Sequence, residues 1–253
     1  MKRRIDSEPA FLIATTPWRE SSSRIEVFTK NHGRQALLAR SARKRQSDLR
    51  GVLVPFVPIL VSWYGQNELR TLHRASWIGG WAQPTGNNLI GALYINELVL
   101  KLTAYEDSHE EIYHAMYRAM SSLANATHIQ GILRIFEWQL LTACGIAPDA
   151  KYDINGKEIV DDTCYIIQPE SLAQVADDKL LNPDETSNQV LIHGSTLKAL
   201  QNSKFDSDES LSEALRLNRM LLNFRIPQIC SRNILQQLQI IKKSHLIKKD
   251  NKC

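Results

Sequence analysis

Between Arg40 and Arg50, eleven positions hold five cations: Arg40, Arg43, Lys44, Arg45 and Arg50, against the single Asp48. Such a run on a loop presents its charges together without burying them. A polyanion needs that arrangement, because each phosphate contact releases condensed counterions and makes affinity fall steeply with salt. A solvated loop that only keeps the chain soluble would read the same way. Aromatic residues add a second chemistry. Trp18 adjoins Arg19, and Trp63 and Tyr64 end a long apolar run, so an exposed Trp63 ring could stack a base. Stacking contacts are worth about 1–3 kcal/mol each by truncation. Trp77 and Trp81 fit better as seals between two packed units.

Motifs for covalent chemistry are absent. The chain has no phosphate-cradling Gly-rich Lys loop, no G-x-S-x-G elbow, no G-x-G-x-x-G turn and no H-E-x-x-H pair. His109 and His114 stand five apart, which puts them on different helix faces. Cys144, Cys164, Cys230 and Cys253 are scattered, without the close pairs that let two thiolates reach one zinc. Asp161-Asp162 and Asp177-Asp178 are adjacent carboxylates, but neighbours on a strand point to opposite faces. The expectation is a binding protein without enzyme activity, metal or cofactor. A nuclease or ligase accessory domain using the Asp pairs is the enzyme alternative.

One helical segment invites a different reading. In Leu133-Arg134-Ile135-Phe136-Glu137, Arg134 is expected to project from the surface beside the apolar Phe136. An apolar groove rimmed by arginine suits a short acidic, apolar peptide ending in a carboxylate. Periodicity alone fits a core helix with a surface ion pair better.

Charge divides the chain. The net charge of +4 is the sum of +8 in residues 1–80, −9 in residues 81–202 and +5 in residues 203–253. A basic first third beside an acidic middle implies separate tasks, only one of them attraction of a polyanion. Asp6, Ser7, Glu8 and Pro9 stand where a leader's apolar region belongs, and the longest apolar runs are too short or too polar to span a bilayer. Cytoplasmic location is expected.

The elements that must position these residues follow from periodicity. Strands are expected at residues 10–16, 24–29, 35–39, 51–64 and 68–76, with Asn31-His32-Gly33 and Gly65-Gln66-Asn67 as turns. Pro55 and Pro58 place the fourth at an edge or give it bulges. Five short strands suit a small Greek-key barrel of the OB type, with an SH3-like barrel the alternative. Residues 77–87, with Gly79, Gly80, Pro84 and Gly86, mark a boundary. The overall class is therefore α+β, with an N-terminal five-stranded barrel over residues 1–80 and a helical domain over residues 81–253. Helices are expected from Leu89 to Leu102, from a capping box at Ser108-His109-Glu110-Glu111 onwards, and from Gln130 to Cys144 with Gly145 as the stop. Residues 146–194 are mixed. They carry an Asn155-Gly156 hairpin signal, short strands at 163–167 and 190–192, and an acidic loop over 168–188. Later helices are expected at residues 211–224, opened by a box at Ser210 and Glu213, and at 232–241 after Ser231, before a lysine-rich tail at 242–253.

Several stretches then fall in a familiar order. Ala10-Phe11-Leu12, Pro17-Trp18-Arg19-Glu20-Ser21-Ser22, Val27-Phe28-Thr29 and His32-Gly33-Arg34 open it. Ala39-Arg40-Ser41-Ala42-Arg43, Leu53-Val54-Pro55-Phe56, Leu93-Tyr94-Ile95-Asn96-Glu97-Leu98 and Arg134-Ile135-Phe136-Glu137 continue it. Together they resemble the RecO family of bacterial recombination mediators, densely over residues 10–145. The resemblance implies an OB-fold followed by a helical domain. It implies binding of single- and double-stranded DNA, annealing of complementary strands, and loading of the recombinase RecA with RecR and usually RecF. It also implies docking of the acidic C-terminal tail of single-strand-binding protein on the helical domain, and a nucleoid-associated place in the cytoplasm. Carried over by position, Arg34, Arg40, Arg43, Lys44, Arg45 and Arg50 fall in the DNA-binding barrel, where Arg19 and Trp63 are added candidates. Arg134 and Phe136 fall where the tail docks. Two departures stand out. This chain lacks the four-cysteine zinc site of many members, and Ile135 occupies a position where a second basic residue is common. An RNA-binding OB-fold protein in RNA processing or translation is the alternative binding function.

Overall fold

The computed structural model describes residues 4–176, 188–226 and 228–232. Strands β1 (Arg4–Trp18), β2 (Ser22–Thr29), β3 (Gly33–Ala39), β4 (Pro58–Tyr64) and β5 (Leu69–Trp77) close into a barrel in the order β1-β2-β3-β5-β4. Alternation explains both of its faces, since successive strand side chains point to opposite sides. Ala10, Leu12, Ile25, Val27, Leu37, Ala39, Ile59 and Val61 fill the interior. Phe11, Ile13 and Phe28 point outwards and join the core of the helical domain. The long β1 pairs with β4 through its first half and with β2 through its second, with a register shift between Leu12 and Ala14.

The run at residues 51–64 is not one strand. Leu49–Val52 forms a helical turn, α1, and only Pro58–Tyr64 is extended. Pro55 has no N–H for a ladder, whereas Pro58 sits at a strand's first residue, where the missing donor is tolerated. Leu49, Val52 and Leu53 pack against the barrel's interior residues instead. Nor is β4 an edge: it lies between β1 and β5, with irregular register on both sides.

Helices α2 (Gly86–Leu102), α3 (Glu110–Leu123) and α4 (Gln130–Ala143) follow. The capping box at Ser108 does not form; His109 takes the cap position and its ring bonds Asp107 and Glu111. Between residues 150 and 160 the Asn-Gly turn forms as expected, with the Asp153 carboxylate accepting from the Asn155 and Lys157 N–H groups. A three-stranded sheet follows, made of β6 (Cys164–Ile167), β7 (Gln174–Val175) and β8 (Val190–His193), so a strand interrupts the expected acidic loop. Then come α5 (Gly194–Gln201), which periodicity did not reveal, and α6 (Asp208–Arg225). The latter begins a turn earlier than the Ser210 box implies. Ser207 caps it by accepting from the Ser210 N–H at 3.1 Å, and Glu213 turns inward to accept from the Thr196 hydroxyl at 2.6 Å. Beyond Arg232, the helix expected to residue 241 and the lysine-rich tail lie outside the described residues, as does the Asp177-Asp178 pair.

Three features fix the helices to the barrel. Asn96 on α2 donates to the Leu12 carbonyl at 3.2 Å, at the irregularity in β1 where a ladder partner is lost. Trp81 donates its ring N–H to the Phe56 carbonyl at 3.0 Å and lies near the Phe11 and Tyr117 rings. The segment joining α2 to α3 crosses the barrel at Gly33, where φ is +61° and an added Cβ would run into the Asp107 carbonyl. Among the described residues no helix is long and apolar enough to cross a membrane.

Candidate nucleic-acid interface and peptide groove

The loop after β3 is a chain of tight turns anchored on the β1–β2 turn. The Arg43 N–H donates to the Ser21 carbonyl at 2.8 Å, and the Arg43 guanidinium donates to the Arg19 carbonyl at 3.1 Å. Lys44 donates to Ser41, Ser47 to Lys44 and Arg50 to Ser47, while Ala42 is buried as the loop's apolar peg. The backbone is thus held while the long side chains stay in water. Arg19, Arg40, Arg43, Lys44, Arg45 and Arg50 are all exposed, and none forms an ion pair with a described residue. Trp18 is partly exposed beside Arg19. Cations close to one another and lacking carboxylate partners repel each other until an anion arrives, which suits this loop to phosphates.

Other expected DNA contacts are placed elsewhere. Arg34 is half-buried under the α2–α3 connection, its guanidinium 3.9 Å from the centre of the Tyr105 ring and bonded to the Leu100 carbonyl. Glu26 faces it at 3.6 Å. Arg24 donates to the Tyr105 hydroxyl at 2.9 Å, and Arg70 pairs with Glu106 at 2.6 Å. The β2–β3 surface, which serves oligonucleotides in many OB-folds, is here covered at Gly33 and Arg34 by the α2–α3 connection, through Tyr105, Glu106 and Asp107. Trp63 is 2% exposed, inside the barrel and edge-on to His32, so its ring cannot stack a base. Trp77, assigned on sequence to sealing the domain junction, is instead 60% exposed, while Trp81 does pack there.

Arg134 does not project from the surface. It is 9% exposed and bonded to Glu137, which is 1% exposed. Glu137 also accepts from the Tyr94 hydroxyl at 2.6 Å and from the Asn218 amide at 3.0 Å; Arg232 in turn donates to the Tyr94 hydroxyl at 3.0 Å. A buried carboxylate requires this much compensation. Burial and the negative Glu137 together hold the Tyr94 hydroxyl far above its ordinary range. Arg134 therefore ties α4 to α2 and α6 through Glu137.

A groove lies on the opposite side of the same helix. Ala115, Ala119, Ile132, Ile135 and Phe136 line a cavity of about 420 Å³ between α3 and α4, with Arg118, Ser122, Gln139 and Ser203 at its rim. That volume falls within the about 300–1,000 Å³ typical of ligand pockets. Phe136 thus stands at the groove, and Arg118, missed on sequence, is its exposed cation. The signal was present: Ala115, Arg118, Ala119 and Ser122 share one helix face at i, i+3, i+4 and i+7.

Among the described residues one His-carboxylate group gathers, with ligand atoms of His193, Glu209 and Glu213 within 4.8 Å of one another. Glu213 is already engaged by Thr196, by the His193 N–H and by His193 Nδ1 at 2.6 Å. Burial opposes its ionisation, but these bonds lower its pKa. Asp161 is exposed and paired with Lys198.

Comparison with known proteins agrees with this architecture. A family model described as "Recombination protein O N terminal" matches residues 1–81, and one described as "Recombination protein O C terminal" matches residues 83–229. A protein of Neisseria gonorrhoeae named DNA repair protein RecO is 48% identical over 238 residues, covering 93% of this chain and 96% of that one. Proteins of the same name from Aromatoleum aromaticum and Chromobacterium violaceum are 38% and 37% identical, over 94% and 93% of this chain and 98% and 96% of theirs. Barrel, helical domain and both halves of the match coincide in one conclusion: the chain belongs to the RecO family of DNA repair proteins.

Proposed function

We propose that the chain is a non-catalytic recombination mediator that anneals complementary DNA strands and helps load a recombinase on single-stranded DNA coated by single-strand-binding protein. The observation that carries this reading is the anchored loop of Arg40, Arg43, Lys44, Arg45 and Arg50 beside Arg19, exposed and, among the described residues, without carboxylate partners. Two strands repel through their phosphates, and a surface that neutralises them lowers the cost of encounter. The −9 of residues 81–202 leaves the helical domain for protein partners. The α3–α4 groove is the place for the acidic tail of single-strand-binding protein, which would deliver the barrel to coated DNA. RecR, and RecF and RecA indirectly, complete the set of partners, and the nucleoid is the site of action.

Annealing of two complementary DNA oligonucleotides, one of them labelled with a quencher pair, tests the proposal. Acceleration at about 50 mM salt that fades as salt rises supports it. Unchanged annealing at low salt refutes it. Tighter binding to structured RNA than to DNA of the same length would transfer the protein to RNA metabolism, and Mg²⁺-dependent loss of intact oligonucleotide would make it a nuclease.

A further inference from the structure

We propose that residues 233–241 of this chain dock across the exposed face of α2 at Leu93 and Leu89, running antiparallel to it as a continuation of the helical turn that starts at Cys230. This face is separate from the α3–α4 groove, none of whose lining residues lies on α2.

The path of the last described residues leads there. In the last turn of α2, the Lys101 ammonium bonds the Gln228 carbonyl. One turn back, Glu97 accepts from the Cys230 N–H at 2.7 Å and from the Ser231 N–H at 2.8 Å. Nearly a turn further back, Arg232 donates to the Tyr94 hydroxyl at 3.0 Å. Successive residues of the segment thus meet ever earlier residues of α2, and the chain turns helical at Cys230. Glu97 takes the first N–H groups of that turn, as a carboxylate at a helix start does. Ile226, Ile229 and Ser231 are buried, so the segment is seated as it enters the turn.

Ahead on α2 the surface is apolar and uncovered. Leu93 is 43% exposed and Leu89 37%, and residues 86–96 include no charged side chain. Ahead in the chain the sequence matches. Ile234, Leu238 and Ile241 recur at i, i+4 and i+7 beside Leu235, and residues 233–241 are also uncharged. Register follows from the rise, about 1.5 Å per residue in each helix. With Glu97 level with Cys230 and Ser231, Leu93 falls opposite Ile234 and Leu235. Leu89 then falls opposite Leu238, and the small Gly86 opposite Ile241. The two apolar stripes coincide turn by turn. The docked segment ends level with the start of α2, so the lysine-rich stretch that opens with Lys242 and Lys243 emerges where residues 78–85 join helix to barrel.

The experiment follows amide exchange of the full chain by mass spectrometry, without DNA. Residues 233–241 should exchange more slowly than a synthetic peptide of the same sequence; equal rates overturn the proposal. Leu93→Asp puts a charge on the face and should speed that exchange roughly 10-fold, the scale of one buried leucine. Protection that survives in Leu93→Asp means that another surface is covered, and overturns it too. If Leu93→Asp loosens the whole helical domain, a second measurement that adds no charge to the face decides. Leu89→Cys with Leu238→Cys, in a chain also carrying Cys230→Ser and Cys253→Ser, should close a disulfide within one chain under mild oxidation. Leu89→Cys with Ile234→Cys, a turn out of register, should not. A disulfide between two chains would give the face to a second copy. That result, no closure of the first pair, or equal closure of both pairs contradicts the docking.

Discussion

Arg43 and Arg134 carry the same guanidinium and meet opposite fates. Arg43 stands on an anchored loop, bonded to backbone carbonyls alone, with its charge open to solvent. Arg134 is buried against a carboxylate that also takes bonds from Tyr94 and Asn218. Arg24, Arg34 and Arg70 side with Arg134, each bonded into the contact between barrel and helices. The positive charge of the first third is therefore of two kinds. Free cations on the loop are available for a polyanion, and paired cations hold two domains together. Removing the first should cost binding at constant stability, and removing the second should cost stability.

The largest effect is expected on the paired side. Glu137→Gln leaves Arg134 buried without its counter-charge, which should destabilise the protein by about 3–5 kcal/mol. Urea unfolding followed by circular dichroism measures it, and an unchanged midpoint would put Arg134 back on the surface. Next comes Gly33→Ala, which strains a left-handed position and drives a methyl group into the Asp107 carbonyl. A loss of about 2–4 kcal/mol is expected in the same assay. A neutral result would mean that the connection between α2 and α3 is loosely seated.

The smallest effect tests the last turn of the described chain. Glu97 accepts from the Cys230 N–H at 2.7 Å and from the Ser231 N–H at 2.8 Å and hydroxyl at 2.5 Å. Partial burial opposes ionisation, yet the bonds from Ser231, Lys101 and Cys230 hold its pKa down at about 2, from an ordinary 4.5. Because the folded-state pKa is depressed, the stabilisation is complete above the ordinary value and is lost as pH falls towards 2. Glu97→Gln should lower Tm by about 2–4 °C at pH 7. The gap between variant and wild type should narrow progressively below pH 4.5; a constant gap would show that the carboxylate's charge is irrelevant.

The barrel was legible because alternation is local. Leu12 and Phe11, or Val27 and Phe28, announce opposite faces from neighbouring positions. Which face meets water and which meets helices is not local. Arg34 and Arg43 look alike in sequence, and only the distant Tyr105 and Leu100 distinguish them. Trp63 ends a strand as an interface aromatic would, but the same parity that points Ile59 and Val61 inward points it inward too. The boxes at Ser108 and Ser210 satisfied a pattern that neighbouring residues outcompeted, with Ser207 capping α6 and His109 preceding α3. Phe136 lines the α3–α4 groove, whereas Arg134, two residues before it on the same helix, turns inward to Glu137. Arg118 supplies the rim because α3 brings it there, a juxtaposition of two helices that periodicity within one helix does not contain.

The division into free and paired cations is tested most directly by the salt dependence of DNA affinity. Single-stranded oligonucleotide binding would be titrated from about 50 to 200 mM salt for wild type, for a variant with Arg40, Arg43, Lys44 and Arg45 all changed to Gln, and for Arg34→Gln. Each phosphate contact contributes about 0.7 to the slope of log affinity against log salt on single strands. The loop variant should lose up to about 3 from that slope with an unchanged melting temperature, while Arg34→Gln keeps the wild-type slope and melts earlier. A wild-type slope in the loop variant, or a reduced slope in Arg34→Gln at unchanged stability, would contradict the account.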